Sequence, residues 1–311
     1  WPTSHVQGIA VDVEGGFIYY SFTTLLAKYD FNGKLVGTLV GWAGHLGDLD
    51  FNPRDGRVYG SLEYKKDKAF YIAAIDVSRL DRVGIDETGL LPHANAGALY
   101  RDELAALRPV SASQGMMVET LRDDLDCHRG SPDKTSARRL ATLELAGELA
   151  IPFTTGILVG IGESRQDRLD AVRAIAASHA RHGHVQEVIV QNFLPKAGTA
   201  MHGAAPCPPD EYLWAIAAAR ALLPADVHVQ APPNLSDDLA PLVAAGIDDW
   251  GGVSPVTPDH VNPERPWPEL DRLRAATEAA GKVLAPRLTV YPEYVRDAEG
   301  WLAPEVRFAV T

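Results

Sequence analysis

The hydrophobic period of the chain changes near residue 85. Before that point apolar and polar residues alternate with period two. Gly8 to Asp12, Phe17 to Ser21 and Leu25 to Tyr29 each read as a strand with one covered face. Asn32-Gly33, between Tyr29-Asp30-Phe31 and Lys34-Leu35-Val36, predicts a tight hairpin, because such a turn needs positive φ at its centre. The stretch also repeats at an offset of 40, matching His5 with His45, Ile9 with Leu49, Asp12 with Asn52, Gly16 with Gly56, Tyr19 with Tyr59 and Ser21 with Ser61. A four-stranded unit of ~40 residues has the period of a β-propeller blade. Residues 1–85 are therefore expected to form two propeller-like antiparallel blades, with a generic antiparallel sheet as the alternative. A closed propeller takes about four to eight blades, so two alone leave strand edges uncovered. His5 and His45 read as packing or turn residues before they read as ligands.

From Asp86 to Thr311 strands alternate with helices. Expected strands are Leu91 to Asn95, Pro109 to Ser113, Phe153 to Val159, Glu187 to Asn192, Val227 to Gln230, Asp249 to Gly252 and Ala285 to Val290. Expected helices are Tyr100 to Leu107, Arg138 to Ala150, Arg168 to His182, Asp210 to Leu222, one capped by Ser236 and stopped at Gly246, and one from Pro268 to Gly281. About seven strands in this alternation imply an α/β fold with a parallel sheet, best satisfied by a TIM-like (β/α) barrel. Polar residues gather at the strand ends: Ser113-Gln114-Gly115, Gly160-Ile161-Gly162-Glu163, Gln191-Asn192 and Gln230 to Asn234. Strand carboxyl ends face one mouth in a barrel. Amides such as Gln191, Asn192, Gln230 and Asn234 are costly to bury without partners, which a polar small-molecule ligand or the loop backbone would supply.

Composition narrows the partners. The 311 residues are 46% hydrophobic, enough for packed cores, and the net charge of −12 argues against nucleic acid. No run approaches ~18 apolar residues, so no membrane span is expected and a cytoplasmic location is. The chain opens at Trp1 with no visible leader, which reads as a processed or cut start. The two cysteines, Cys127 and Cys207, lie too far apart in sequence for a local metal motif.

Gly156-Ile157-Leu158-Val159-Gly160-Ile161-Gly162-Glu163 matches the GxIxGxxE pattern of radical S-adenosylmethionine (SAM) enzymes; taken alone, its glycines could serve only a tight turn. Its neighbours sharpen the match: Ser113 to Glu119, Ser131-Pro132-Asp133-Lys134, Gln186 to Phe193, Pro195 to Met201, Gln230 to Leu235 and Asp248 to Pro263. Together, over about Glu87 to Val310, they resemble the 7,8-didemethyl-8-hydroxy-5-deazariboflavin (FO) synthase family, in its radical SAM subunit or the N-terminal half of its fused form. The resemblance implies a radical SAM barrel holding a [4Fe–4S] cluster. It also implies closure of a deazaflavin ring from a tyrosine-derived hydroxybenzyl and ribitylaminouracil adduct, with loss of ammonia. A companion FO synthase subunit is the partner it suggests. By the same resemblance Gly156, Leu158, Gly160 and Glu163 would lie beside the adenosyl group. Glu119 and Arg139 would meet the methionine amino and carboxylate groups, Arg139 being alternatively a solvated helix charge. Gln191, Asn192, Lys196, Gln230 and Asn234 would meet the substrate, Lys196 being alternatively a surface charge.

The chain departs from the family at one place. A cluster with one open iron needs three closely placed thiolates, normally in a C-x3-C-x2-C loop, and Cys127 and Cys207 supply neither number nor spacing. Hairpin-connected strands stand where the first barrel strands and the cluster loop belong. The expected molecule is thus an incomplete radical SAM barrel, residues 86–311, behind a propeller-like fragment, residues 1–85, and inactive alone. The alternatives are a propeller-type binding module on a barrel scaffold, or a non-functional chimeric fusion.

Overall fold

The computed structural model describes residues 6–40, 45–64, 69–78, 80–81, 85–86, 91–254, 259, 262–307 and 310. His5, residues 87–90 at the start of the family-like segment, and residues 255–258, 260 and 261 of its last motif lie outside them. The chain forms two compact units, Trp1–Leu90 and Leu91–Thr311.

The first unit is antiparallel in its main pairings. Strands β1 (Gly8–Asp12), β2 (Phe17–Phe22), β3 (Leu25–Asp30) and β4 (Leu35–Val40) follow one another across one sheet. A second sheet holds β5 (His45–Asn52), β6 (Arg57–Tyr64) and β7 (Ala69–Asp76). The hairpin at Asn32-Gly33 forms, with the Asp30 carboxylate accepting from the Asn32 and Lys34 amides. The offset of 40 survives in space: β2 and β6 are each the second strand of their sheet. The two sheets are not equal, however. The second has three strands among the described residues, and β8 (Ile85–Asp86) joins the first, running parallel to β4. Tyr19 stacks on Phe51 at 5.9 Å, and the buried Lys28 lays its ammonium 4.0 Å over Phe17.

Among the described residues the second unit is a five-stranded parallel sheet in the order β13-β12-β11-β10-β9, where the sequence predicts a barrel of about seven strands. Its strands are β9 (His93–Ala94), β10 (Ser113–Gly115), β11 (Phe153–Val159), β12 (Val185–Asn192) and β13 (His228–Gln230). Between them run α1 (Arg101–Leu107), α2 (Ser136–Glu148), α3 (Arg165–His182) and α4 (Pro209–Leu222), followed by α5 (Ala240–Ala245) and α6 (Leu270–Ala279). One core joins Ile157, Val159, Val188 and Val190 of the central strands to Ala171, Val172 and Ile175 of α3 and Ala215, Ile216 and Ala219 of α4. The near-continuous burial of β12, whose apolar residues are Val185 and Val188 to Val190, follows from helix cover on the sheet.

Four expectations shift. Residues 108–110 make a 3-10 turn around Pro109 and the strand begins only at Ser113, because proline has no amide to give a ladder. The α3 helix starts at Arg165, set by the capping box of Ser164 and Asp167. Ser236 caps nothing: α5 starts at Ala240 behind Leu239. Ala285 to Val290 is no strand, since its polar groups bind the sheet floor instead of a ladder, and Asp249 contributes a single bridge to Gln230.

Candidate active site

Parallel order and register bring the family-like segments to one end of the sheet. Leu158 pairs with Gln191, Val159 with Asn192 and Ile189 with Gln230, and Glu119 bridges to Ile157. The Glu119 amide donates to Gly156 O at 2.9 Å, and its carbonyl accepts from the Leu158 amide at 3.0 Å. Gly156, Leu158, Glu119 and Gln191 thus meet across three neighbouring segments.

Gly156 is required by packing, since a Cβ there would collide with the Ile189 carbonyl oxygen and the Met117 methyl. After β11 the chain turns at Gly160 (φ +96°) and Gly162 (φ +107°), left-handed values that disfavour any side chain. The turn is closed from inside by Glu163. Its carboxylate accepts from the amides of Gly160 at 2.8 Å and Ile161 at 2.7 Å, and from Arg168 Nε at 2.6 Å.

Glu119 itself is in a left-handed backbone conformation, φ +62°, a strain of about 1–3 kcal/mol for a residue with a side chain. Its carboxylate accepts from His128 Nε2 at 2.7 Å and from Lys134 Nζ, with Arg139 3.5 Å away. Arg139 is not a solvated helix charge: it is 1% exposed and donates to the Val118 and Lys134 carbonyls. Burial lowers its pKa, with Glu119 opposing. His128 and Lys134 line a cleft of about 370 Å³ with Asp123, Arg129, Ser131 and Thr135. Neither was given a role from sequence, although Lys134 ends one of the quoted motifs.

The substrate-side candidates lie in the loops after β12 and β13. Asn192 is buried, donates to Leu235 O at 2.9 Å and leaves Oδ1 without a partner. Asn234 donates to Asp259 at 2.8 Å and to Arg265 O at 3.1 Å, and its Oδ1 is also unpartnered. Two buried acceptors of this kind are costly unless something donates to them. The Gln230 side chain fills the space above Gly251, and Lys196 is half-buried, its carbonyl accepting from Thr199.

A second charged cluster sits nearer the amino ends of the strands and was not foreseen. Glu187 accepts from Arg287 at 2.8 Å and Thr154 at 3.1 Å, and one of its oxygens lies 3.2 Å from the Tyr291 hydroxyl. Asp249 accepts from the same Arg287 at 2.5 and 3.0 Å and from Tyr291 at 2.7 Å. The Tyr291 ring stacks on His228, centroids 4.1 Å apart. Burial pushes Glu187 up to about 7 against the pull of Arg287. The signal available in sequence was an acid inside an apolar strand.

Relatives decide the family. The chain is 56% identical over 209 residues to the 7,8-didemethyl-8-hydroxy-5-deazariboflavin synthase of Methanoculleus marisnigri, covering 67% of this chain and 62% of that protein. With the enzyme of the same name from Archaeoglobus fulgidus it shares 44% over 247 residues, 79% of this chain and 75% of that protein. The chain belongs to the 7,8-didemethyl-8-hydroxy-5-deazariboflavin synthase family. It is also 50% identical over 248 residues to the FO synthase of Nocardia farcinica, of which it spans only 29%. No family model matches the chain. Methylornithine synthase, a solved structure, aligns with a TM-score of 0.48 and 20% identity over 64% of this chain and 60% of its own, too loose a match to carry an argument. Among the described residues no helix is long and apolar enough to cross a membrane.

Proposed function

We propose that Leu91–Thr311 is the SAM-binding portion of a radical SAM enzyme that closes the deazaflavin ring from a hydroxybenzyl and ribitylaminouracil adduct, releasing ammonia. The observation that carries this reading is the convergence of the GxIxGxxE turn, the strained Glu119 and the amides of β12 and β13 at one end of a parallel sheet. SAM supplies an activated adenosyl group when bound. The turn at 160–163 would seat the adenosyl moiety beside Gly156 and Leu158. Glu119 would accept from the methionine ammonium, and Lys134, partly exposed beside it, would face the carboxylate. Arg139, occupied by carbonyls, acts by orienting Glu119 and its loop. Asn192 and Asn234 offer acceptors to a donor-bearing substrate.

The iron–sulfur cluster does not fit the residues present. The chain holds two cysteines, where three thiolates are needed. Cys207 is buried against Gly160, and burial pushes its thiol up to about 11. We therefore read the chain as inactive by itself. The test is titration with SAM, then an assay for 5′-deoxyadenosine after anaerobic treatment with iron, sulfide and reductant. Weak binding and no 5′-deoxyadenosine are expected. No binding at all overturns the site; 5′-deoxyadenosine formation overturns the inactivity.

The first unit supports a separate reading as a propeller-like binding domain. The repeat places Ser21 and Ser61 at equivalent points of β2 and β6, and the unit is compact by itself. Residues 1–90 expressed alone should be soluble and sheet-rich; aggregation would count against it.

A further inference from the structure

We propose that Arg168 and Glu211 are positioning residues for the turn at 160–163, holding it through Glu163 in the form that receives the adenosyl group. This rests on the reading of that turn given above. The Glu163 side chain is 1% exposed, so its charge depends on protein partners rather than water. Three N–H groups supply them: two consecutive amides of the turn and Arg168 Nε. Fixing two consecutive amides on one carboxylate fixes the backbone between them. Arg168, 7% exposed, has its other arm on Glu211 at 2.6 Å. Glu211 stands in the first turn of α4 and is held in turn by Arg165 at 2.7 and 3.1 Å. Arg165 lies 4.6 Å over the Trp214 ring, one turn further along α4. Charge therefore runs in an alternating line from the α4 surface to the glycine turn. On the far side of the turn Gly160 rests on Cys207, whose amide donates to Phe193 O at 2.9 Å. With Arg168 weakened, the Glu163 carboxylate is left buried beside two amides and relaxes toward water. The turn then loses its closing bonds, whereas β11 keeps its ladder to β12.

The experiment uses the full chain, isotopically labelled, as wild type, Arg168→Lys and Glu211→Gln. Both changes keep side-chain bulk; Arg168→Ala is avoided because it strands a buried charge. Amide exchange is followed at residues 157–161, and SAM is the titrated ligand. In both variants exchange at Gly160 and Ile161 should accelerate about tenfold or more, exchange at Ile157 and Val159 should hold, and the Kd for SAM should rise roughly three- to tenfold. A purely structural role would move all four amides together. Unchanged exchange at Gly160 and Ile161, or faster exchange with unchanged SAM affinity, overturns the proposal. A wild-type chain that binds no SAM overturns the adenosyl reading and the ligand proposed here. The exchange result would still show whether the two residues hold the turn, so the two failures are distinguishable.

Discussion

Two carboxylates on the parallel sheet meet opposite surroundings. Glu119, beside the late part of β11, is one acid among His128, Lys134 and Arg139, on strained backbone and next to an open cleft. Glu187, beside the early part of β11, shares one cation, Arg287, with a second acid, Asp249, and is sealed by Tyr291. The first cluster has cations to spare and room for a ligand's anion. The second is short of cations and closed. Buried charge by itself does not mark a site; unbalanced charge beside a cleft and strained backbone does.

The largest expected effect is at the closed cluster. Arg287→Ala leaves the buried Glu187 and the partly buried Asp249 without their cation and should cost about 3–5 kcal/mol of unfolding free energy, read by urea denaturation. A loss below about 1 kcal/mol would show that water already solvates the cluster. Next comes pH. Glu187 is raised to about 7 from 4.5, so the folded chain binds its proton more tightly than the unfolded chain does. Its contribution is present in full below pH ~4.5 and is lost as pH rises through ~7, on the order of 3 kcal/mol. Glu187→Gln should flatten that part of the stability–pH curve; an unchanged slope would remove Glu187 as its source. Ser164→Ala removes the side-chain cap of α3 and should cost about 1 kcal/mol. Smallest of all, Asp126→Ala, which breaks the exposed pair with Arg129, should change stability by less than about 0.5 kcal/mol.

What was legible in sequence follows the same division. The strand Phe153–Val159 has the bounds its sequence predicts, because a run of β-branched and apolar residues between Pro152 and Gly160 leaves little choice. The mouth residues Glu119, Gly156 and Leu158 were named through motif resemblance, and the register brings them together. Arg139 was placed on its helix, but its burial depends on carbonyls at Val118 and Lys134 that no local pattern shows. Beyond the acid in β12, the closed cluster was illegible because Glu187, Asp249 and the Arg287–Tyr291 segment are far apart in sequence, and Ala285 to Val290 has the alternation of a strand. Its residues bind the floor instead: Thr289 O accepts from Ser113 and Gln186, and the Tyr291 amide donates to Gln186.

Hydrogen exchange of the full chain with and without saturating SAM compares the two clusters directly. Protection at 119, 156–163 and 128–135, with none at 187 and 287–291, is the expected result. Protection at the closed cluster, or at neither, would contradict the assignment of the mouth as the ligand site.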